Sequence, residues 1–498
     1  MKMKRLCAFT LALTLTAVSL AGCGSSSDSA EDSDTTSSSD TADSSTADSS
    51  DTTDSADTAE ADSTDADSTN TDSSADSSED SSDEEGVVWE EDLLDPDNPV
   101  TVRFYSYSYA SAAFGTAFQT MMDEFNEGIG AEKGVILEFV ADETGTAAET
   151  DIKAGLQVDI VQLYFQALDG AIDDMGISAY EDVFPADELE AHFEGISENA
   201  LNLGVLDDQM YGLAFTFSTP ILYVNGDLLE EAGLDPTEAP EDWEEMYEWC
   251  VQIKEETGKY GLALSPTNST GWVTDSILYS NGATVLNEDR TAVEFASEEG
   301  IEAFEIWKQF YTDDVAVGGT DSEAMQAFLT GEAAMHIQST SIYSTVVSTA
   351  ESSGWTLYGY PMPGFDGEES VPTNSGSCIV VRPENEQMAQ AIWEVIKYVT
   401  GDEGYTIITS ETGYLPLRTY LIDDEDYLKD FVDENPIIRT NVERLDSIMP
   451  ASIWPGEYAT ELQTLYADMA TEALTTDADV AEIMQEYQDQ MNSYIEGS

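Results

Sequence analysis

Apolar positions fall into three regimes along the chain. Residues 9–20 form one apolar run behind Lys2, Lys4 and Arg5. Residues 24–86 contain no apolar side chain larger than alanine, no Lys and no Arg. From residue 87 onward the pattern becomes periodic. Val100, Val102 and Phe104 alternate with Thr101 and Arg103, which predicts a strand. Residues 117–126 read as a helix, and 134–141 and 159–164 as a second and a third strand, the third preceded by a helix-like stretch. In "QMAQAIWEVIKYVTG", Met388, Ile392, Val395, Ile396 and Val399 share one helical face, and Gly401 supplies the stop. Strands alternating with helices predict α/β domains with largely parallel sheets. The roughly 410 residues after 87 exceed one simple core and predict two domains. No internal repeat is apparent.

The first two regimes predict export and tethering. A positive n-region and an apolar core too short to span a bilayer comfortably make 1–22 a signal segment. Leu20-Ala21-Gly22-Cys23 resembles the bacterial lipobox, which implies cleavage before Cys23 and lipid on its sulfur and new amino group. Several acyl chains anchor stably where one does not. Residues 24–86 have almost nothing to bury against their chain entropy, so they are expected to form a disordered tether. Sixty-three residues would reach roughly 45 Å as a neutral coil, and the self-repulsion of their acids extends them further. The regular aspartates lack the glycine-turned loop and terminal glutamate of a calcium site.

Charge then narrows the partners. The chain carries 102 acidic and 16 basic residues. With 21 acids in the tether and three bases in the signal, residues 87–498 hold a net charge of about −68. Such a surface repels nucleic acid and anionic membranes. An anionic ligand would need a local basic site, and bases are scarce. Cys7 leaves with the signal. Cys250 lies on an apolar helical stripe with Trp243, Met246, Tyr247 and Ile253 and is expected to be buried, with a disulfide to Cys378 left open. His192 and His336 are the only histidines, and no Cys/His group has metal spacing. No cofactor is expected. The chain lacks G-x-S-x-G, G-x-x-x-x-G-K-[ST] and H-E-x-x-H. Paired carboxylates are so abundant that they carry no signal for glycoside hydrolysis.

The stretches "YGLAFTFSTPILYVNGDLLEEAGLDP" (211–236), "APEDWEEM", "FLTGEAAMHIQSTS" (328–341), "YPMPGFDG", "NSGSCIVV" (374–381) and "TGYLPLR" (412–418) resemble, in this order, the family 1 extracellular solute-binding proteins of bacterial ABC importers. The likeness covers 99–498 and is nearest to the glycerol-3-phosphate-binding branch, to which "ENPIIRTNVERLDSIMP" also points. It implies a two-lobed, type II periplasmic-binding-protein-like α/β fold that closes on its ligand. It puts lobe one at about 99–217 with 375–413 and lobe two at about 218–374 with 414–498. The implied partners are a sugar, the transmembrane subunits of an ABC permease and, through the lipid, the outer face of the bacterial cell membrane. The implied state is a monomer that is not an enzyme.

The residues fit that reading in their own right. Ser218 and Thr219 precede a strand-like run with Pro220, which suits a crossing between lobes. Leu228, Leu229 and Ala232 pack a short helix that stops at Gly233, and the next helix begins at about Asp242. Tyr414 stands between Gly413 and Pro416 on a rigid turn. Rings on such turns stack on sugar faces, while hydroxyls, amides and backbone groups meet sugar hydroxyls. Core packing is the alternative role for each ring.

The resemblance carries Ser218, Trp272, Ser339, Gly376 and Tyr414 into the cleft and adds Tyr107. Two departures qualify the ligand. Residues 449–463 ("MPASIWPGEYATELQ") hold no Arg or Lys where the branch has a phosphate-holding arginine, and Tyr164 is followed by Phe165 and Gln166 instead of an acid. Without the guanidinium there is no bidentate anion clamp. A neutral sugar is therefore expected, with Gln166 and Trp454 as further contacts. Glycerol-3-phosphate or a glycerophosphodiester held by Arg418 remains the alternative, and a secreted carbohydrate-active enzyme, recognisable by product release, is a second one.

Overall fold

The computed structural model describes residues 86–142, 146–267, 271–456 and 458–497. The signal segment, Cys23 and the tether up to residue 85 lie outside the described residues. The strands are β1 (Val100–Ser106), β2 (Val135–Ala141), β3 (Ile160–Leu163), β4 (Val205–Leu206), β5 (Gln209–Met210), β6 (Leu213–Ser218), β7 (Pro220–Asn225), β8 (Tyr260–Ala263), β9 (Ala316–Val317), β10 (Ala333–Ser339), β11 (Leu357–Pro361) and β12 (Ser375–Val381). One five-stranded sheet runs β2-β1-β3-β12-β6 and a second runs β11-β7-β10-β8-β9. Helices cover both, which gives two α/β lobes.

Local signals explain the elements. In β2, Val135, Leu137 and Phe139 are buried while Ile136 and Glu138 are exposed, the alternation of a strand with one covered face. Helix Glu386–Val399 starts where the Asn385 side chain accepts the Met388 N–H. Asp242 caps helix Trp243–Thr257 in the same way, and Gly258 ends it with φ +72°. Helix Gly226–Glu231 is followed by Gly233 at φ +82°, where the reading of the sequence put the stop.

Two expectations are corrected. Gly401 does not stop the long helix. Thr400 is its C-cap, and Gly401, at φ −89°, is the N-cap of helix Asp402–Thr412. Nor are the sheets largely parallel. β1 pairs in parallel with β2 and β3, and β8 with β9 and β10, but β12 is antiparallel to β3 and β6, and β7 is antiparallel to β10 and β11. The reason is topological. β6 leaves one sheet at Ser218 and β7 starts the other at Pro220, so only Thr219 separates them. A strand that enters a sheet from the partner lobe runs against those that end at the cleft.

Each lobe has its own aromatic core. Trp243, Trp307 and Phe310 lie in one, and Phe104, Phe118 and Trp393 in the other. A third buried cluster joins them through the crossing strands and includes Phe217, Ile221, Tyr343 and Leu415. Cys250 and Cys378 are both buried free thiols. The chain enters the fold as a strap on helix Glu386–Val399. Leu93 N–H donates to Gln390 Oε1 at 2.8 Å, and Gln390 Nε2 donates to the Glu91 carbonyl at 2.8 Å. Among the described residues, no helix is long and apolar enough to cross a membrane.

Candidate ligand cleft between the lobes

The cleft floor is built where β1, β3, β6 and β12 end or begin. Gln162, 2% exposed in an otherwise apolar strand, organises it. Its Oε1 accepts from Ser106 Oγ at 2.6 Å and from Ser108 N–H at 3.3 Å. The two protons on Nε2 are shared among Ser108 Oγ, Thr216 Oγ1 and Ser377 Oγ at 2.8, 3.0 and 2.8 Å. One amide thus ties four strands together, and such a satisfied network fixes the geometry of what stands above it.

Tyr107 stands there. Its ring lies on that of Tyr164, with centroids 4.5 Å apart and planes 20° from parallel. The Tyr107 hydroxyl is buried without a hydrogen-bond partner. Burial, then Tyr414 and Tyr164, push its pKa well above the ordinary phenol value against the opposing effect of the nearby Ser377 and Thr216 hydroxyls, so it stays neutral and keeps its proton to donate. Tyr164 itself is 47% exposed.

Tyr414 is placed by the turn that ends helix Asp402–Thr412. Gly413 takes φ +98°, where a Cβ would meet Tyr343 Cβ at 2.7 Å and the Thr340 carbonyl at 2.8 Å. Leu415 N–H then donates to the Phe217 carbonyl at 2.7 Å, which locks the turn to β6. Tyr414 is 5% exposed and packs on Phe114 at 5.2 Å. Burial pushes its hydroxyl up to about 12, opposed by hydroxyls of Thr216, Ser108 and Ser341.

The crossing supplies Ser218 and Ser339. Ser339 Oγ donates to Ser218 Oγ at 2.8 Å across the two sheets and also meets Ser341 Oγ at 2.8 Å. Thr340 N–H donates to the Thr219 carbonyl at 3.1 Å, and Thr340 Oγ1 is buried without a partner. Gly376 is a steric requirement. At φ +104°, a Cβ would stand 1.8 Å from the Thr216 carbonyl oxygen. Asn374 Oδ1 accepts from Ala451 N–H at 2.8 Å, while its Nδ2 is buried and unpartnered.

Trp272 and Trp454 belong to lobe two. Trp272 is 7% exposed, and its carbonyl accepts from Thr373 Oγ1 at 2.6 Å, beside Asn374. Trp454 is 1% exposed, donates its indole N–H to Gln463 Oε1 at 2.8 Å and packs on Tyr466 at 5.1 Å. That is a core environment, which differs from the open stacking face expected of it. Beneath both, buried Asp275 accepts Ser452 N–H and Tyr466 O–H, each at 2.7 Å. Burial pushes the Asp275 carboxyl up to about 6.

Gln166 lies in a short 3-10 turn, Phe165–Ala167, and lines an adjoining cavity of ≈ 480 Å³. The cavity runs from Tyr164 and Gly170 on lobe one to Thr460, Gln463 and Thr464 of helix Ala459–Thr475 on lobe two. The structure therefore brings Tyr107, Ser218, Ser339, Gly376 and Tyr414 together at the crossing, sets Gln166 beside them and places Trp272 and Trp454 in the buried cluster of lobe two. Reading the sequence missed Gln162, Tyr164 and Asn374. The lone glutamine in "DIVQLY" was an available signal, since a buried amide among apolar neighbours demands partners.

The floor consists of Ser, Thr, Asn, Gln and Tyr among the described residues, and Arg418 is not part of it. Its Nε donates to the Thr400 carbonyl at 3.1 Å, Nη1 to the Glu194 carbonyl at 3.0 Å and Nη2 to the His192 carbonyl at 2.6 Å. Burial first, then Arg418 and Lys397, hold the His192 pKa down at about 3, so the imidazole stays neutral beside the guanidinium. Arg444 lines a narrow gap with Thr219, Pro220 and Asn441, but its guanidinium donates to the Ser370 carbonyl and pairs with Glu369.

A family model described as bacterial extracellular solute-binding protein matches residues 120–439. The sn-glycerol-3-phosphate-binding periplasmic protein UgpB of Brucella melitensis is 25% identical over 238 residues, 46% of this chain and 54% of that protein. The corresponding protein of Pectobacterium atrosepticum is 24% identical over 218 residues, 41% and 48% of the two chains. The chain thus spans about half the length of the curated relatives it matches. Among solved structures, the cyclic alpha-maltosyl-1,6-maltose binding protein from Arthrobacter globiformis superposes with a TM-score of 0.68 at 18% identity, over 80% of this chain and 100% of that one. UgpB from Mycobacterium tuberculosis in complex with glycerophosphocholine gives 0.68 at 17% identity, over 80% and 99%. At these identities the structures establish the two-lobed fold.

Proposed function

The chain belongs to the bacterial extracellular solute-binding proteins, and from that premise we propose that it captures a neutral sugar, a mono- or oligosaccharide, between its lobes and delivers it to the permease of an ABC importer. It acts as a binding protein and not as an enzyme. The observation that carries the ligand class is the cleft floor. Its unpartnered buried groups, Tyr107 Oη, Thr340 Oγ1 and Asn374 Nδ2, are uncharged, and they are hydrogen-bonding groups that sugar hydroxyls satisfy. Candidate contacts are Tyr107, Gln166, Ser218, Trp272, Ser339, Gly376 and Tyr414, with Tyr164 as an exposed stacking face. Trp454 acts from behind by holding helix Ala459–Thr475.

The lobes are assigned as 99–217 with 375–413 and 218–374 with 414–498, which the passage from β6 to β7 at Thr219 supports. The mature chain is a monomer held at the outer face of the cell membrane by lipid on Cys23. The 23–86 tether lets the binding domain range while staying near the permease.

A second reading takes glycerol-3-phosphate or a glycerophosphodiester as the ligand, and the likeness to the sn-glycerol-3-phosphate-binding proteins favours it. The lack of a Lys or Arg on the floor, with Arg418 spent on backbone carbonyls, weighs against it. Thermal-shift screening against neutral sugars and glycerophosphates tests the choice, because a ligand bound only by the native state raises the melting temperature by mass action. Stabilisation by a sugar supports the proposal. Stabilisation by glycerophosphates alone replaces it with the second reading.

A further inference from the structure

Asp169 stands on lobe one at the start of helix Leu168–Met175, yet both of its carboxylate oxygens are used by lobe two. Oδ1 accepts from Arg290 Nη1 and Nη2, each at 3.3 Å. Oδ2 accepts the Gly456 N–H at 3.0 Å. Both side chains of the pair are about one-fifth exposed, so solvent screens them only in part.

The donors are held firmly on their own lobe. Arg290 sits at φ +52° in a turn where Asn287 Oδ1 accepts the N–H groups of Thr291 and Ala292. That turn is fastened to the C-terminal helix by a two-way bond. Val293 N–H donates to Asn492 Oδ1 at 2.7 Å, and Asn492 Nδ2 returns to the Val293 carbonyl at 3.0 Å. Gly456 lies two residues after Trp454, which is anchored on Gln463. A rigid donor pair facing a rigid acceptor loses little entropy on contact.

The position of the pair gives it a role. Ala167 and Gly170, on either side of Asp169, line the ≈ 480 Å³ cleft cavity, as does Ala459 just beyond Gly456. The carboxylate therefore bridges the two lobes at the edge of this cavity. No other ion pair among the described residues joins the two lobes at this edge. We propose that Asp169, with Arg290 and the Gly456 amide, is an interlobe latch that biases the chain toward the closed state before any ligand is bound. A latch made only in the closed state multiplies the closed-to-open ratio and lowers the apparent dissociation constant while the open state predominates. The proposal rests on the two-lobed fold and not on the sugar reading, so the two fail separately.

The test is ligand-free amide hydrogen exchange on the full chain and on its Arg290→Gln and Asp169→Asn variants, at low and high sodium chloride. Loss of the pair should lower the closed-to-open ratio about fivefold, equivalent to about 1 kcal/mol. Exchange should rise accordingly at this edge and also on the facing walls, at 106–110 and 338–341. High salt should move the parent chain toward the variants and leave the variants nearly unchanged. A charge-reversed double variant, Asp169→Arg with Arg290→Asp, should recover the ion-pair part of the protection, though not the Gly456 N–H bond, and guards against misfolding of either single variant. Unchanged exchange in Arg290→Gln, or acceleration confined to 453–456, would overturn the latch, the latter by making the contact a clasp on one loop.

Discussion

Tyr107 and Tyr164 stack at 4.5 Å with their rings 20° from parallel, and they divide the work of the cleft between them. The Tyr107 hydroxyl is buried and unpartnered, whereas Tyr164 keeps almost half of its surface open to the cavity. One offers a hydrogen bond in a dry place, and the other offers a ring face.

Tyr164→Ala is therefore expected to weaken sugar binding about tenfold or more, a loss of about 1.4 kcal/mol, with little change in melting temperature. Titration calorimetry and a thermal melt on the same preparation check this. Unchanged affinity would remove Tyr164 from the site.

Trp454→Ala should instead cost about 3–5 kcal/mol of stability, because it empties a core site and removes the indole donor to Gln463. Urea unfolding measures it. A stable variant that has lost only ligand affinity would return Trp454 to the cleft face.

Asp275 sets a pH dependence. Its folded pKa of about 6 lies above the ordinary 3.8. A raised carboxyl favours the fold fully below about pH 4, and that contribution is lost as pH rises to about 6. The loss is about 3 kcal/mol by linkage. The stability difference between the parent and Asp275→Asn should change over pH 4–6 and level off above it. The subtraction cancels the buried histidines His192 and His336, whose lowered pKa values act in the opposite direction. A difference that is flat with pH would mean that Asp275 titrates normally.

Sequence periodicity made some of this structure readable and left the rest hidden, and particular residues show why. Alternation exposed β1 and β2, and a one-sided apolar face exposed helix Glu386–Val399, because those patterns reflect neighbours a few residues away. Strand direction was not readable. The antiparallel pairing of β12 with β3 and β6 follows from chain crossings between lobes, which leave no local pattern. Gly401 looked like a stop because glycine serves both ends of helices, and only its φ of −89° separates the roles. Arg418 looked available as a lone base in "TGYLPLR", but its partners, Thr400, Glu194 and His192, come from distant segments. The Asp169–Arg290 pair spans 121 residues and was equally invisible.

The anchor is tested at Cys23. Cys23→Ala should release the protein from the membrane fraction or leave it unprocessed. Deleting 24–86 should leave melting temperature and ligand affinity unchanged, since a segment with nothing to bury adds no stability. A processed Cys23→Ala chain that still partitions with membranes would contradict lipid attachment.

The central claim is that the cleft holds an uncharged ligand. Titration calorimetry of the full chain against a panel of neutral saccharides and against glycerol-3-phosphate tests it most directly. The account expects at least one saccharide to bind and to lose about tenfold or more in affinity in Tyr414→Ala and in Trp272→Ala, judged on folded variants. It expects glycerol-3-phosphate to give no binding heat. Tight binding of glycerol-3-phosphate with no response to any saccharide would contradict it.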